Sequence, residues 1–310
     1  MKKVILMAVA AAFMCGCEKQ IVADSEPDAD ASGVVTVDGK RFTFTCKGDF
    51  GDPTFSDFSQ GDASAYGTGK STRAAYLQAD GADMTDLWVF DFVGDECMQT
   101  LHQVSTDDDF GRPVMTLAYG SHHVYFVASR GAEPSVDATA CTISWTRPSD
   151  TFWKDYEVSV VSTSNGNRAV TLDRVVTRLR VTVNDEVPAT MATLSVTPAV
   201  WYYGVNYRTG EPSGASEGQE RSVAVPASYQ GTSGQLSMSI FGFSGSEEWT
   251  TGLTIKAKDG DGAVLGQANI EDAPLKRNRV TEYSGNLFSS GSTMTASLAG
   301  DWAEGYSGTW

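Results

Sequence analysis

Arg41-Phe42-Thr43-Phe44-Thr45-Cys46 and, further along, Leu87-Trp88-Val89-Phe90-Asp91-Phe92-Val93 decide the fold. The first stretch alternates, with Phe42, Phe44 and Cys46 on one face and Thr43 and Thr45 on the other, the pattern of a half-buried β-strand. The second is apolar on both faces, which predicts a strand in the middle of a sheet with the Phe42 to Cys46 strand as its earlier neighbour. Between them, residues 52–72 are rich in Gly, Ser, Asp and Thr, with one proline and isolated aromatics. They have too little periodicity to form a packed element and read as a soft spacer. The spacer ends at Thr72-Arg73-Ala74, so one cut after Arg73 separates the first strand from the rest of the chain.

Outward from this pair, strand signals recur with turn residues between them. Residues 114–120 and 123–128 predict two strands around a turn at Gly120-Ser121, and residues 141–145 and 156–162 continue the series up to the turn signal Asn165-Gly166-Asn167. A second series opens at residues 175–183, where Leu179, Val181 and Val183 form an apolar face beside exposed Arg178, Arg180 and Thr182 if the register shifts once near Thr177. Strands follow at residues 194–196, 222–225, 236–243 and 253–257. Asp259-Gly260-Asp261-Gly262 then turns the chain into residues 263–270, and residues 279–287 close the series. Long helical patterns are absent. The expectation is an all-β protein of two tandem antiparallel β-sandwich domains, residues 34–170 and 171–310. A mature chain of about 290 residues exceeds one small sandwich and suits two domains.

The N-terminus predicts export. Met1-Lys2-Lys3 is a basic leader and residues 4–14 are an apolar run too short to span a bilayer as a helix, together a signal peptide. Met14-Cys15-Gly16-Cys17 has the form of a lipobox in which Cys17, preceded by the small Gly16, is the acylated residue; residues 1–17 are thus a lipoprotein signal. Residues 18–33 are acidic and small and read as a flexible tether. The expected location is the outer face of a diderm cell's outer membrane. Without Lys2 and Lys3 the chain carries 21 basic against 39 acidic residues, a formal charge of −18. Such a surface repels nucleic acid and anionic headgroups. Outside the signal, Cys46, Cys97 and Cys141 are odd in number and lack metal-ligand spacing, and buried thiols fit them better than a disulfide framework. Whether Cys97 and Cys141 pair is left open at this level.

Motifs for chemistry fail on inspection. Gly69-Lys70-Ser71 imitates the end of a phosphate-binding loop, but Ser64 stands where the first glycine belongs. Asp107-Asp108-Asp109 and the set Asp80, Asp83 and Asp86 lack the calcium-loop spacing. His102, His122 and His123 have no matching nucleophile or ligand constellation. The expectation is therefore no catalytic residue, no metal and no cofactor. Trp201, Tyr202 and Tyr203, with Tyr207 in a Gly-rich loop, form a candidate aromatic contact for a glycan or host ligand, against the alternative that they pack on their own domain. In the tail, Met294, Ala296, Leu298 and Trp302 share one face of an extended segment.

Taken in order, the lipobox, the Phe-Thr-Phe strand, the loop ending in Thr72-Arg73-Ala74, the Leu-Trp-Val-Phe strand, Arg178-Leu179-Arg180-Val181 and Pro274-Leu275-Lys276-Arg277-Asn278-Arg279 before a last strand resemble the fimbrillin-like subunits of type V pili, the FimA, FimB and Mfa group of lipoprotein precursors. The resemblance covers nearly the whole mature chain through short, degenerate motifs. It implies two transthyretin-like sandwiches and, for polymerising subunits, cleavage after an arginine in the loop that follows the first strand, here between Arg73 and Ala74. Removal of the strand bearing Phe42, Phe44 and Cys46 would open a groove for a strand from another subunit, and the tail with Met294, Ala296, Leu298 and Trp302 is the candidate donor. The bland alternative is that this tail is the last strand of its own domain. Anchor subunits of the family keep their N-terminus and lipid. The implied partners are other fimbrial subunits and, through the lipid, the outer membrane; the competing function is a monomeric surface lipoprotein that binds glycan or host ligand.

Overall fold

The computed structural model describes residues 38–48, 78–79, 82–131, 134–289 and 294–297. In chain order the strands are β1 (Gly39–Gly48), β2 (Gln78–Ala79), β3 (Ala82–Asp83), β4 (Asp86–Val93), β5 (Glu96–Val104), β6 (Val114–Ala118), β7 (Gly120–Ser129), β8 (Ser135–Asp137), β9 (Thr142–Ser144), β10 (Thr151–Val160), β11 (Asn167–Arg174), β12 (Val176–Val183), β13 (Met191–Pro198), β14 (Val200–Asn206), β15 (Pro212–Glu217), β16 (Arg221–Ala224), β17 (Leu236–Phe243), β18 (Trp249–Asp259), β19 (Val264–Leu275), β20 (Val280–Gly285) and β21 (Met294–Ser297), with a 3-10 turn at Ala227–Tyr229. The protein is all-β, as its patterning predicts.

The N-terminal sandwich is one hydrogen-bonded sheet, in the order β5-β4-β7-β10-β11-β1-β6, that closes over itself. The fold line is β11. Its last residues pair with β10 through Phe152 opposite Arg174 and Trp153 opposite Asp173, while its earlier residues run beside β1. Phe42, Phe44 and Cys46 of β1 thereby share a core with Leu87 and Val89 of β4, Val124 and Phe126 of β7, and Phe152 of β10. The C-terminal sandwich stacks the sheet β17-β12-β20-β21 on the sheet β16-β13-β18-β19 around Leu179, Val181, Leu194, Val196, Ile255 and Tyr283. Neither sandwich is purely antiparallel, because β1 runs parallel to β11 and β12 parallel to β20.

Several expectations change on contact with the structure. β4 lies between β5 and β7, and β1 lies between β11 and β6, so the two stretches that decide the fold face each other across the core and are not neighbours in the sheet. β6 and β7 form no hairpin: β6 pairs with β1 and β7 with β4 and β10, and the chain changes layer at Gly120, whose φ of 136° is open to glycine. β12 needs no register shift, since all eight of its residues pair in step with β17. Arg178 is buried, its Nε donating to Ser239 Oγ at 3.0 Å. The strand changes sheets at Val175, between β11 and β12, and a boundary at residue 170 would fall inside β11.

The largest departure is a third sheet, β15-β14-β9-β8, which joins the two halves. The hairpin of β8 and β9 does not complete the N-terminal sandwich; β9 pairs instead with β14, with Ile143 opposite Val205. Beneath this sheet is a separate apolar cluster of Phe90, Phe92, Tyr125, Val127, Trp145, Tyr207 and Phe243 with their neighbours. It explains the two-faced sequence of β4. Leu87 and Val89 fill the N-terminal core, and Phe90 and Phe92 on the opposite face fill the cluster between the domains. The same division puts Val176 in the middle cluster and Leu179 in the C-terminal core.

His122 and Asp91 form a pair inside the N-terminal sandwich, 2 % and 1 % exposed. The imidazole Nδ1 lies 2.7 Å from Asp91 Oδ1 and Nε2 lies 2.9 Å from the carbonyl oxygen of Ala118. Both partners are acceptors, so the geometry suits an imidazolium that donates from both nitrogens. Burial by itself lowers the pKa of this ring, but the hydrogen bond and charge of Asp91 and the Ala118 carbonyl outweigh it and raise the value above that of an ordinary histidine. A raised folded-state pKa means that the folded chain holds the proton more tightly than the unfolded chain. The pair's contribution to stability is expected in full below about pH 6.5 and to be lost as pH rises through the folded-state value. Urea unfolding midpoints measured from pH 5 to 9 check this, and His122→Gln should remove that part of the slope.

Candidate strand-exchange site

β1 is held on both sides. It pairs in parallel with β11 from Thr43 opposite Asn167 to Gly48 opposite Leu172, and antiparallel with β6 from Gly39 opposite Ala118 to Thr43 opposite Val114. Where β6 ends, Phe44 N donates to Pro113 O at 3.0 Å and Cys46 N to Gly111 O at 2.9 Å, while Thr43 N donates to Gly166 O at 2.7 Å. The period-two pattern of the sequence is realised side chain by side chain: Phe42, Phe44 and Cys46 are each 0 % exposed, and Thr43 and Thr45 are half-buried on the other face. Phe44 meets Phe126 edge-on at 5.2 Å and Tyr156 at 5.9 Å, so it bridges to the facing layer. The guanidinium of Arg168 covers Phe42 at 5.1 Å. Desolvation pushes the Cys46 thiol well above its ordinary pKa, which leaves it an inert packing group.

Without β1, the facing edges of β6 and β11 would be left without a partner, above a floor that includes Phe126 and Phe152. Burying each phenylalanine of a replacement strand would recover about 1.5–3 kcal/mol, in addition to the ladder hydrogen bonds. Arg73 and Ala74, the candidate cleavage pair, and Cys17, the candidate lipidation residue, lie outside the described residues.

At the C-terminus, β21 pairs antiparallel with β20, Met294 opposite Gly285 and Ala296 opposite Tyr283, as the edge strand of its own domain. Leu298 and Trp302 lie outside the described residues. Residues 294–297 are thus paired within their own domain. An edge strand with one partner is also the kind of element that can leave with the fewest broken bonds.

The aromatic contact site is corrected. Trp201, Tyr202 and Tyr203 belong to a strand, β14, and not to a loop. Its pleat turns Trp201, Tyr203, Val205 and Tyr207 inward. Trp201 is 2 % exposed and its indole Nε1 donates to Phe241 O at 2.9 Å; Tyr203 accepts at its hydroxyl from Gln219 N at 2.8 Å; Tyr207 stacks on Phe90 at 3.9 Å. Only Tyr202 of the three candidates is half-buried, with Trp249 edge-on beside it at 5.2 Å. Aromatic rings here serve the cores, as their spacing on alternate positions could have signalled once the segment was read as a strand.

Asp80 lies outside the described residues, and Asp86, His102 and Asp107 have structural partners. His102 Nε2 lies 2.8 Å from Asp86 Oδ1 and its ring stacks on Trp88 at 3.6 Å. Asp107 accepts from Val104 N at 2.8 Å in the turn after β5. Cys97 and Cys141 are half-buried thiols.

A selective probe of β1 follows from Gly166, where an added Cβ would sit 2.1 Å from the carbonyl oxygen of Arg41. Gly166→Ala is expected to weaken the docking of β1 by about 1–3 kcal/mol. Hydrogen exchange should then quicken at the amides of Thr43, Phe44 and Cys46 and stay unchanged at Leu194 and Val196 in the C-terminal sandwich.

In comparisons with solved structures, the chain is similar to a candidate adhesin from Bacteroides ovatus at 12 % identity and a TM-score of 0.47, covering 86 % of this chain and 95 % of that one. It is also similar to a candidate cell adhesion protein from the same organism at 16 % identity and a TM-score of 0.47, covering 86 % and 98 %. The tip fimbrial protein Mfa3 from Porphyromonas gingivalis, truncated at its C-terminus, is similar at 13 % identity and a TM-score of 0.39, covering 69 % and 93 %. Comparison with curated proteins returns no match. Residues 135–308, from the first residue of β8 onward and more than half of the chain, match the model of a family of unknown function, DUF6562, and the chain belongs to that family.

Proposed function

We propose that this protein is a structural or anchoring subunit of a cell-surface fimbria, which joins its sister subunits by exchange of the β1 strand and contributes to adhesion through the assembled polymer and not through chemistry of its own. The observation that carries this reading is the combination at β1: a strand flanked on both sides, with three fully buried side chains, followed in sequence by the spacer of residues 52–72 and Arg73. A strand so placed can be replaced by another extended segment with apolar residues at alternate positions, because strand addition restores the ladder and the buried surface together. In this reading Cys17 carries the lipid that holds the precursor at the outer membrane. The tail with Met294, Ala296, Leu298 and Trp302 leaves β20 and becomes the donor for the next subunit. A shaft subunit would lose β1 by cleavage between Arg73 and Ala74, and an anchor would keep it.

The glycan-binding alternative draws little support, because two of its three contact residues, Trp201 and Tyr203, are buried.

The test is to cleave the purified precursor with trypsin at Arg73 and offer a peptide of residues 293–310. A shaft subunit is expected to release the β1 fragment, to take up the peptide with a gain in thermal stability, and to form oligomers through its own tail. Mature protein from the cell surface should then begin at Ala74, and Arg73→Ala should leave it monomeric. A surface chain that begins at Cys17 would assign the anchor role. A cleaved chain that stays monomeric and takes up no strand would overturn strand exchange altogether.

A further inference from the structure

The outer face of the N-terminal sandwich brings together three ligand-bearing side chains that lie far apart in sequence. On β7 and β10, His123 stands directly opposite Glu157, and Asp155 precedes Glu157 by two positions on the same face of the strand. One ligand atom from each of His123, Asp155 and Glu157 lies within 4.8 Å of the other two. The inward neighbours His122 and Val124 turn this trio away from the core and toward solvent. Its side chains remain reachable, with 40 % of His123 and 29 % of Asp155 exposed.

The trio is also held in place. Both strands are internal in the sheet, β7 between β4 and β10, and β10 between β7 and β11. The imidazole of His123 stacks on Tyr125 at 5.9 Å with an interplanar angle of 16°, and Tyr125 is itself 5 % exposed. Asp155 approaches Nδ1 of His123 with both carboxylate oxygens, at 3.0 and 3.1 Å. A surface ion pair would need only these two residues. Glu157 adds a second carboxylate on the same side, so one imidazole and two carboxylates offer ligand atoms to a common point.

We propose that His123, Asp155 and Glu157 bind a divalent transition-metal ion on the outer face of the N-terminal sandwich. One imidazole nitrogen and two carboxylate oxygens suit a borderline ion such as Zn2+ better than Ca2+ or Mg2+, which take oxygen ligands alone. Three protein ligands leave a coordination position for water or for a donor group from another molecule. The site ties β7 to β10 in the layer opposite β1. It is independent of the strand-exchange reading.

The experiment is isothermal titration calorimetry of the whole mature chain, freed of metal with a chelator, against Zn2+ at pH 7.5. One equivalent is expected to bind, and His123→Ala, Asp155→Asn and Glu157→Gln should each weaken that event by about tenfold or more. Cys97→Ser/Cys141→Ser and Asp107→Asn/Asp108→Asn should leave it intact. Co2+ bound at the same site should give an absorption band that is lost in His123→Ala. Circular dichroism of each variant should match the parent, so that loss of binding reports loss of a ligand. Absence of a one-equivalent event, or an event that survives His123→Ala and disappears in the cysteine variant, overturns the proposal and leaves His123 and Asp155 as an ion pair.

Discussion

A β-strand offers each of its residues one of two faces, and near the middle of this molecule both faces are claimed by apolar contacts. The cluster around Phe90, Tyr207 and Phe243 lies between the two sandwiches, and it is filled by the backs of strands whose fronts fill the domain cores. β4 and β12 each serve two cores in this way. The two halves are therefore not beads on a linker: the β8–β9 hairpin of the first half adds to β14 and β15 of the second, so one sheet belongs to both. Separating the domains would expose Phe90, Phe92, Trp145 and Tyr207 and break the ladder between β9 and β14, each buried aromatic of this size contributing about 1.5–3 kcal/mol.

Polar groups then fix the angle of this junction. Arg174, at the end of β11, donates from Nε and Nη2 to the two oxygens of Asp150 at 2.7 and 3.0 Å, and from Nη1 to Asn278 Oδ1 at 3.3 Å across the domain boundary. Asn278 has a φ of 54° and its N–H donates to Val176 O, a left-handed position that asparagine tolerates better than most residues. The preceding Arg277 reaches Ser244 O and Gly210 O. Trp153 of the first half donates to Tyr207 O, and Arg208 of the second half bonds Asp95 and covers Phe92 at 4.9 Å. A buried, bidentate pair of this kind is weak evidence of net stability, but losing either partner strands a charge, which makes the geometry hard to change. The junction is thus closed both by packing and by directional bonds.

β1 contrasts with these strands. It has one apolar face, serves one core, and contributes nothing to the cluster between the domains. Its exchange would open the N-terminal sandwich and leave the shared sheet and the C-terminal core intact.

Much of this was legible in the chain. The alternation of Phe42, Phe44 and Cys46 determined a half-buried strand, and the recurring strand and turn signals determined an all-β protein, because the two-residue period of a pleat is written directly into the order of side chains. The signal-like N-terminus, the spacer and Arg73 are sequence features throughout. Pairing is different, since it depends on which edges meet after the chain has turned back. Only the tertiary structure decided that β4 faces β1 and does not lie beside it, that β9 crosses to β14, that Trp201 and Tyr203 point inward, and that His123 meets Asp155 and Glu157. The sequence of β4 announced two buried faces, yet it could not say that the second was covered by another domain, because a strand's own residues record that a face is apolar and carry no record of what lies against it.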